Sequence, residues 1–230
     1  MKVGLGLPFL GDLAGEVVGP MMGLVLEMAR FVDKGQIQLI TLKDYSPHDR
    51  ARESIMDTAI MLDCDYLLFV DADMIVPDMA FGTLFWDFLE VRRTTPNVVV
   101  MSGLYLMRGY PFMPVWSVKG PDGKLCYAEP GTNKFTEVVA TGMGFALIDV
   151  KWVKEKLKKP RFLISHKLGE DGIERTTWED GWFCAKIHQA GGKVLGNGAV
   201  KLGHCHTRMI ITTENADALR REHLLVRGAV

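Results

Sequence analysis

Residues 65–77 read DYLLFVDADMIVP, an apolar run that ends in two carboxylates. An unbroken apolar run such as Tyr66 to Val70 is typical of a strand that is buried on both faces of a parallel sheet. Residues two apart in an extended chain point to the same side, so Asp71 and Asp73 can face one point just beyond this strand. Open α/β sheets bind ligands at the carboxyl ends of their strands, which makes this point a candidate binding site.

The carboxylate pair predicts a site for a divalent cation. Two carboxylates held close together repel each other unless a positive charge lies between them. A hard cation with oxygen ligands, Mn²⁺ or Mg²⁺, suits the pair and typically arrives bound to the phosphates of a substrate. The motif alone leaves a second interpretation open, in which Asp73 opens a turn and Asp71 is the exposed end of the strand.

Strand and helix patterns alternate along the chain on both sides of this segment. The alternation predicts an α/β fold with a mostly parallel central sheet and helices on both faces. No complete Gly-x-Gly-x-x-Gly follows the first strand, which argues against the usual dinucleotide-binding fingerprint. The predicted strands are 2–7 (closed by Pro8), 36–42, 66–70, 97–105, 145–148 and 193–202, and the predicted helices begin at Pro20, Pro47 (with Ser46 as N-cap), Pro77, Lys151 and Trp178.

Three segments depart from this alternation. Residues 108–136 contain four prolines and are predicted to form short antiparallel strands or a long loop. Residues 161–175 are polar, and we expect them to be mobile. Residues 207–230 are predicted as a tail, helical around 216–225, that follows one α/β domain of residues 1–206.

The composition excludes several classes of protein. The chain has 230 residues and a formal net charge of −1, so no nucleic-acid surface is expected. Its four cysteines are scattered without a C-x-x-C pair, which indicates a reducing compartment, and we expect a cytoplasmic protein. We expect neither a signal peptide nor a membrane span. The sequence does not indicate an oligomeric state.

Two further clusters lie at the ends of predicted elements. Glu179 and Asp180 precede a helix, where the dipole favours carboxylates; alternatively, one of them is a general base. His204 follows the last predicted strand, so it can complete a metal site at the same rim, or it can be an ordinary surface histidine. Zinc is not expected, because His204, Cys205 and His206 are too close in sequence to bind one ion together and no fourth ligand is suitably spaced.

Four other residues are candidates for ligand contact. Arg52 lies early in a helix, where a cation opposes the dipole, so it either meets an anion such as a diphosphate or is solvated at the surface. Gly142 and Gly144 let the backbone approach a ligand closely, or they allow a tight entry into a strand. Trp178 offers a flat platform for a sugar ring or, more commonly for a tryptophan, belongs to the core.

The order of these motifs along the chain resembles that of GT-A fold glycosyltransferases. The ordered set is an apolar strand ending in Asp-x-Asp, a Gly-x-Gly before a strand, Glu-Asp before a helix, and a strand ending in Gly-His. The nearest resemblance is to the family 2-like branch, including its compact bacterial and phage-encoded members, and it covers about residues 2–206. It implies the GT-A fold, a nucleotide-sugar donor (a UDP- or GDP-sugar) and Mn²⁺ or Mg²⁺.

The resemblance also implies roles for single residues. Asp73 would bind the metal that bridges the donor diphosphate, Asp71 would contact the ribose or the water shell of the metal, and His204 would complete the metal site. Asp180, beside Glu179, matches the acid that deprotonates the acceptor hydroxyl in inverting members.

Two positions connect the resemblance to the nucleotide. Pro8 falls where the loop after the first strand lines the nucleotide. Arg52 falls in the family's Ala-Arg-Asn segment, but this chain has Glu53 in place of the asparagine. The chain is also short, which leaves little of it to form an acceptor domain.

We therefore expect a metal-dependent glycosyltransferase that moves a sugar to an acceptor hydroxyl, inverting if Asp180 is the base and retaining if Asp180 only positions the acceptor. A nucleotidyltransferase would need a basic first loop, and residues 8–19 contain no Lys or Arg. A haloacid-dehalogenase-like phosphatase usually carries its Asp-x-Asp on the first strand rather than the third. A non-catalytic nucleotide-sugar-binding protein would keep the same fold, and slow hydrolysis of the donor would distinguish an enzyme from it.

Overall fold

Strands and helices alternate in the structure, a computed structural model that describes residues 1–9, 15–32, 36–43, 47–128, 134–168, 174–206 and 209–226. The strands are β1 (Val3–Phe9), β2 (Ile37–Lys43), β3 (Tyr66–Val70), β4 (Met74–Ile75), β5 (Val98–Leu104), β6 (Ser117–Lys119), β7 (Leu125–Tyr127), β8 (Phe135–Glu137), β9 (Phe145–Asp149), β10 (Ser165–Leu168), β11 (Glu174–Thr177), β12 (Lys193–Lys201), β13 (Gly203–His206) and β14 (Met209–Ile211). The helices are α1 (Gly15–Phe31), α2 (His48–Met61), α3 (Ala80–Thr94), α4 (Val150–Lys156), α5 (Glu179–Gln189) and α6 (Ala216–Val226).

A seven-stranded sheet forms the centre of the fold, in the order β2-β1-β3-β9-β5-β12-β8. Five of these strands run in one direction, whereas β9 and β8 run antiparallel to their neighbours. The predicted mostly parallel sheet is confirmed, although the reversal at β9 was not predicted. Hydrophobic periodicity identifies a strand but not its direction, because direction depends on pairing with distant segments of the chain.

The central strand β3 is buried on both faces, and its alternate side chains enter two different cores. Leu68 and Val70 pack with residues of α1 and α3 on one face of the sheet. Leu67 and Phe69 pack with residues of α2, α4 and α5 on the other face. This alternation follows the two-residue period of a strand and confirms the predicted helices on both faces.

Several predicted boundaries are wrong. α1 begins at Gly15, so Pro20 lies inside the helix rather than in its first turn. The missing N–H of this proline is tolerated because the helix is held by its buried apolar face. β1 continues through Pro8 rather than ending before it. Its pairing with β3 ends at Gly6, so Pro8 pairs with β2 alone. Ser46, the predicted N-cap of α2, lies outside the described residues, and Pro47 occupies the N-cap position.

Two short hairpins lie outside the central sheet. β6 and β7 form an antiparallel pair, as predicted for the proline-rich segment. β10 and β11 form another, with Ser165 opposite Thr177, and the expected mobility of residues 161–175 stays a prediction. The hairpin was not predicted because nearly all its residues are exposed, and such strands lack the apolar alternation that identifies a strand.

The C-terminal segment packs near the rim of the sheet. β14 pairs with β13, and α6 follows where a helix was predicted. Ile211 and Ala216 pack in a small cluster with Leu106 and Phe112, and Arg220 Nη2 donates to the carbonyl of Phe112 at 2.8 Å. In the part of the chain that the structure describes, no helix is both long and apolar enough to cross a membrane.

Candidate active site

A cavity of about 500 Å³ lies beyond the carboxyl end of β3. Its lining brings together six of the predicted site residues from distant parts of the sequence: Asp71, Asp73, Gly142, Trp178, Asp180 and His204. The lining also includes Tyr105, Met107, Arg108, Val115, Ser117, Tyr127, Ala140, Thr141, Thr176, Thr177 and Gly181.

A short antiparallel pairing brings His204 to Asp73. β4 follows the carboxylate pair directly and pairs with β13, so that His204 lies opposite Met74. His204 Nε2 then lies 3.4 Å from Asp73 Oδ2, and the N–H of Cys205 donates to the main-chain carbonyl of Asp73 at 2.7 Å. Asp73 and His204, two of the three predicted metal ligands, therefore reach the same rim through β4, a two-residue strand that was not predicted.

Asp73 and His204 fit a metal ion. Asp73 Oδ1 is buried and has no hydrogen-bond partner among the described residues. His204 Nδ1 donates to the carbonyl of Leu106 at 2.7 Å, so Nε2, the nitrogen that faces Asp73, donates to that carboxylate when it carries a proton and can bind an ion when it does not. Burial acts to raise the pKa of the Asp73 carboxyl, but His204 and Arg108 lower this pKa below its usual value. Within the described ranges no three His, Cys, Asp or Glu side chains form a ready cluster, so Asp73 and His204 could supply only part of a coordination shell.

Asp71 pairs with Arg52, which also contacts Glu179. Arg52 Nη2 donates to both carboxylate oxygens of Asp71, at 3.0 and 3.1 Å, and Arg52 Nε donates to Glu179 Oε1 at 3.3 Å. Arg52 is only 4% exposed, so the interpretation of a solvated arginine is wrong. Burial acts to lower the pKa of Arg52, but the charges of Asp71 and Glu179 more than offset this effect. The pKa is therefore raised above its usual value, and the side chain stays a cation. Arg52 therefore meets anions of its own chain, while its role toward a diphosphate stays a prediction.

Asp180 has the properties of a proton acceptor. It lies half-buried in the first turn of α5, and its Oδ1 accepts a hydrogen bond from the N–H of Gly181 at 2.6 Å. Burial, and then the charge of Glu179, raise the pKa of Asp180 to about 6, although Arg52 opposes the shift. A carboxylate whose pKa lies near the working pH is suited to take a proton from a substrate.

Glu179 is placed differently from its neighbour. It is 8% exposed, is not among the residues that line the cavity, and holds Arg52. Its negative charge contributes to the raised pKa of Asp180. Glu179 therefore contacts Arg52 and influences Asp180 through its charge, and a catalytic role for it stays a prediction.

Two aromatic side chains are exposed at the cavity. Trp178 is 61% exposed, so its assignment to the core is wrong. It occupies the N-cap position of α5 and lines the cavity close to Asp180 in sequence. Tyr127, in β7, is also exposed and lines the same cavity. Tyr127 was not predicted, because a lone tyrosine in a three-residue strand carries no signal of its own.

The two glycines before β9 make room for a buried tyrosine. A Cβ at Gly142 would lie 2.3 Å from the Tyr105 hydroxyl oxygen, and a Cβ at Gly144 would lie 2.7 Å from it. The N–H of Gly144 donates to that oxygen at 2.8 Å. Burial, and then the charge of Asp71, raise the pKa of Tyr105 well above its usual value, so the phenol stays neutral. Close packing against Tyr105 accounts for both glycines, and their contact with a ligand stays a prediction.

We expect Gly142→Ala to lower the free energy of unfolding by about 1–3 kcal/mol, because the new methyl group overlaps the Tyr105 hydroxyl. Tyr105→Phe alone should cost about 1 kcal/mol through the lost hydrogen bond to Gly144. In the double variant the hydroxyl is gone, so its cost should be clearly smaller than the sum of the two single costs. Urea titrations of the wild type, the two single variants and the double variant measure this coupling. Strictly additive costs would show that the new methyl group at residue 142 does not press on the Tyr105 hydroxyl.

Two positions named by the family resemblance have structural roles. Pro8 is buried within β1 and is not among the residues that line the cavity. Glu53 Oε2 accepts the main-chain N–H groups of Arg161 and Phe162 at 2.6 and 2.9 Å, and Oε1 accepts Arg161 Nη1 at 2.6 Å. Glu53 thus links the chain after α4 to α2.

Arg108 is a site residue that was not predicted. Its Nη1 lies 2.9 Å from Asp73 Oδ2, and the side chain is about half-exposed. Nothing local marks it in the sequence, because a single basic residue at the start of a proline-rich segment is most often a solvated side chain. In the structure it places a cationic group at the carboxylate that fits a metal.

Comparisons with known proteins identify the fold. No family model and no curated protein matches this sequence. The crystal structure of A197 from STIV is 20% identical, with a TM-score of 0.61 over 92% of this chain and 94% of that chain. The crystal structure of GalNAc-T7 with UDP, GalNAc and Mn²⁺ is 12% identical, with a TM-score of 0.58 over 89% of this chain and 44% of that chain. The chain has a GT-A fold.

The likeness is one of fold alone. This chain spans less than half of the GalNAc-T7 chain. S. aureus TarS in complex with UDP-GlcNAc matches more weakly, at 12% identity and a TM-score of 0.48 over 86% of this chain and 56% of that chain. The predicted GT-A fold is confirmed, and the assignment to a family 2-like branch stays a prediction.

Proposed function

We propose that this chain is a metal-dependent glycosyltransferase that moves a sugar from a nucleotide-sugar donor to an acceptor hydroxyl. The observation that carries the proposal is the meeting of Asp71, Asp73, Asp180 and His204 around one cavity of a GT-A fold. The GalNAc-T7 structure, which holds UDP and Mn²⁺, supports a UDP-sugar as the first donor to test and Mn²⁺ as the first ion.

The donor end of the cavity would be formed by Asp73 and His204. The unpartnered Asp73 Oδ1 and the His204 Nε2 lone pair would hold the ion, which when bound supplies positive charge to the departing diphosphate. Arg108, already beside Asp73, is placed to contribute further positive charge to an anionic group there. Asp71, held by Arg52, would face the ribose or the water shell of the ion.

The acceptor end would be formed by Asp180 and Trp178. As the base, Asp180 would take the proton of the acceptor hydroxyl while that oxygen attacks the anomeric carbon. The bond from this carbon to the diphosphate oxygen breaks on the opposite side and the nucleoside diphosphate leaves, which gives inversion in one displacement. The exposed ring of Trp178 would offer a flat apolar surface to the sugar. If Asp180 only positions the acceptor, the reaction can proceed with retention at the anomeric carbon. Substitution of Asp180 would then lower the transfer rate less.

The first test is a thermal-shift screen with UDP, GDP and their sugars, with and without Mn²⁺. A ligand that binds only the folded state raises the melting temperature with its occupancy, so a shift that requires Mn²⁺ is expected for one nucleotide. Folded protein that shows no shift with any of these compounds would contradict the proposal. A shift without donor hydrolysis or transfer would favour the non-catalytic nucleotide-sugar-binding protein.

We expect Asp73→Asn to remove the Mn²⁺-dependent part of this shift, because the variant loses the charged oxygen that fits the ion. The matched control is Asp122→Asn, the same change at an exposed carboxylate in the β6–β7 turn. Isothermal titration with Mn²⁺ and UDP provides a second readout that does not depend on turnover. Undiminished Mn²⁺-dependent binding in Asp73→Asn would exclude Asp73 as the ligand.

A further inference from the structure

The outward face of α1 is apolar, although its inward face already packs on the sheet. Met22 and Leu26 are 64% and 65% exposed, and Val18 and Val25 beside them are also exposed. A surface helix of a globular protein normally presents polar residues to water. α1 therefore carries a second apolar face that nothing in the described part of the chain covers.

The spacing of this face is that of a helix-pairing seam. Gly15, Gly19, Met22, Leu26 and Ala29 follow one another at intervals of 4, 3, 4 and 3 residues, and all five are exposed. This is the spacing at which the side chains of one helix enter the gaps of a facing helix. Small and large residues share the seam, so that large side chains from a facing helix have gaps to enter. Apart from the backbone of α1 itself and the chain neighbours, no atom of the described residues lies within 4 Å of where a Cβ would stand at Gly15 or Gly19, so the gaps are open.

The neighbouring helix α3 extends the apolar surface. Met79 and Trp86 are both more than half exposed, and the Trp86 ring contacts Phe31 of α1 at 6.5 Å between centroids. Glu27 of α1 accepts the N–H of Gly82 at 2.7 Å, which ties the two helices into one rigid face. Stable interfaces bury about 800 Å² on each partner, more than one short seam offers, so the added surface of α3 is needed.

We propose that this face, formed by the α1 seam with Met79 and Trp86, binds a second copy of the chain through antiparallel pairing of the two α1 helices. Charge decides the partner and the direction. Glu16 and Arg30 are exposed and lie seven residues on either side of Gly23. A two-fold axis near Gly23 brings Glu16 of each copy towards Arg30 of the other, and the face is then complementary to itself. Parallel pairing would instead place like charges together.

A membrane surface suits this face less well. Helices that lie on anionic membranes carry several Lys or Arg residues along the polar side. Over residues 15–32, Arg30 is the single basic residue, and it is matched by two glutamates. The proposal is independent of the chemistry of the cavity, because no residue of the α1 face lines it.

Sedimentation equilibrium of the full chain over about a hundredfold range of concentration tests the proposal, since a modest interface associates in the micromolar range. Wild type should pass from monomer to dimer. Leu26→Glu should weaken dimerisation at least about tenfold, because it buries a charge in the seam. The control, Met61→Glu, makes the same kind of change at a 76% exposed apolar position on α2, on the other face of the sheet, and should dimerise like wild type.

Charge exchange tests the antiparallel direction. Glu16→Arg and Arg30→Glu should each weaken the dimer several-fold, and the double variant should recover most of the wild-type affinity. Circular dichroism melting curves verify that each variant is folded. A wild type that stays monomeric throughout overturns the proposal, as does a dimer that persists unchanged in Leu26→Glu. Co-sedimentation of a monomeric wild type with phosphatidylcholine–phosphatidylglycerol vesicles would assign the face to a membrane instead.

Discussion

Asp180→Asn is expected to lower the rate of sugar transfer by roughly 10²–10⁴, the usual contribution of a general base. The amide keeps the size of the carboxyl and can still accept the N–H of Gly181, so the geometry of the α5 N-terminus should persist. It cannot take a proton from the acceptor. Donor affinity should stay near that of wild type, because the groups that would hold the donor ion are Asp73 and His204. Titration of UDP with Mn²⁺ measures this affinity beside turnover.

The same substitution should raise stability at neutral pH. The pKa of Asp180 is raised to about 6 in the fold, against about 3.9 in an unfolded chain, so folding penalises the ionised form. This penalty grows between pH 4 and 6 and is complete above pH 6. We expect Asp180→Asn to be more stable than wild type by about 1–3 kcal/mol at pH 8 and equal to it near pH 4.

The pH dependence of the wild type gives an independent measurement. If Asp180 is the base, kcat/KM should fall about tenfold for each pH unit below about 6, because the carboxylate becomes protonated there. A profile that stays flat from pH 8 to 5, or an Asp180→Asn variant with unchanged turnover, would remove Asp180 from the chemistry. Glu179→Gln should move the acidic fall in kcat/KM to lower pH, because the charge of Glu179 helps to raise the pKa of Asp180.

The parts of the fold that could be predicted are those with a local cause. The β3 run is apolar because both of its faces are covered, and this pattern is visible in five consecutive residues. Asp71 and Asp73 directly after β3, and the two acidic residues in the first turn of α5, could also be predicted because each pair lies within a few residues of sequence. In contrast, β9 was found as a strand, but its reversed direction is set by pairing with β3 and β5.

The site was predicted as a set of residues, but not as a set of contacts. Asp71 and Asp73 are two residues apart, yet one contacts Arg52 and the other contacts His204 and Arg108. The choice between these partners depends on α2 and β13, which are remote in sequence. The role of Glu53 was hidden in the same way, because its partners, the N–H groups at residues 161 and 162, become neighbours only when α2 and the segment after α4 pack together.

Arg52→Met is expected to lower the free energy of unfolding by about 2–4 kcal/mol, because it leaves the buried carboxylate of Glu179 and the partly buried carboxylate of Asp71 without their partner. Methionine keeps the apolar stem that packs over the Phe69 ring, where the Arg52 guanidinium now lies 5.3 Å from the centroid. The loss therefore reports on the charges of Asp71 and Glu179 rather than on packing. Chemical denaturation at pH 7 measures it.

A matched control and a compensating variant separate this explanation from simple loss of an ion pair. Arg93→Met removes an arginine whose partner Glu90 is, like Arg93 itself, largely exposed, and should cost less than about 1 kcal/mol. Adding Asp71→Asn and Glu179→Gln to Arg52→Met should recover much of the lost stability, since no buried charge then remains unpaired. If Arg52→Met costs no more than Arg93→Met, water can hydrate the carboxylates of Asp71 and Glu179 without Arg52. The ion pairs of Arg52 would then not be what stabilises this part of the fold.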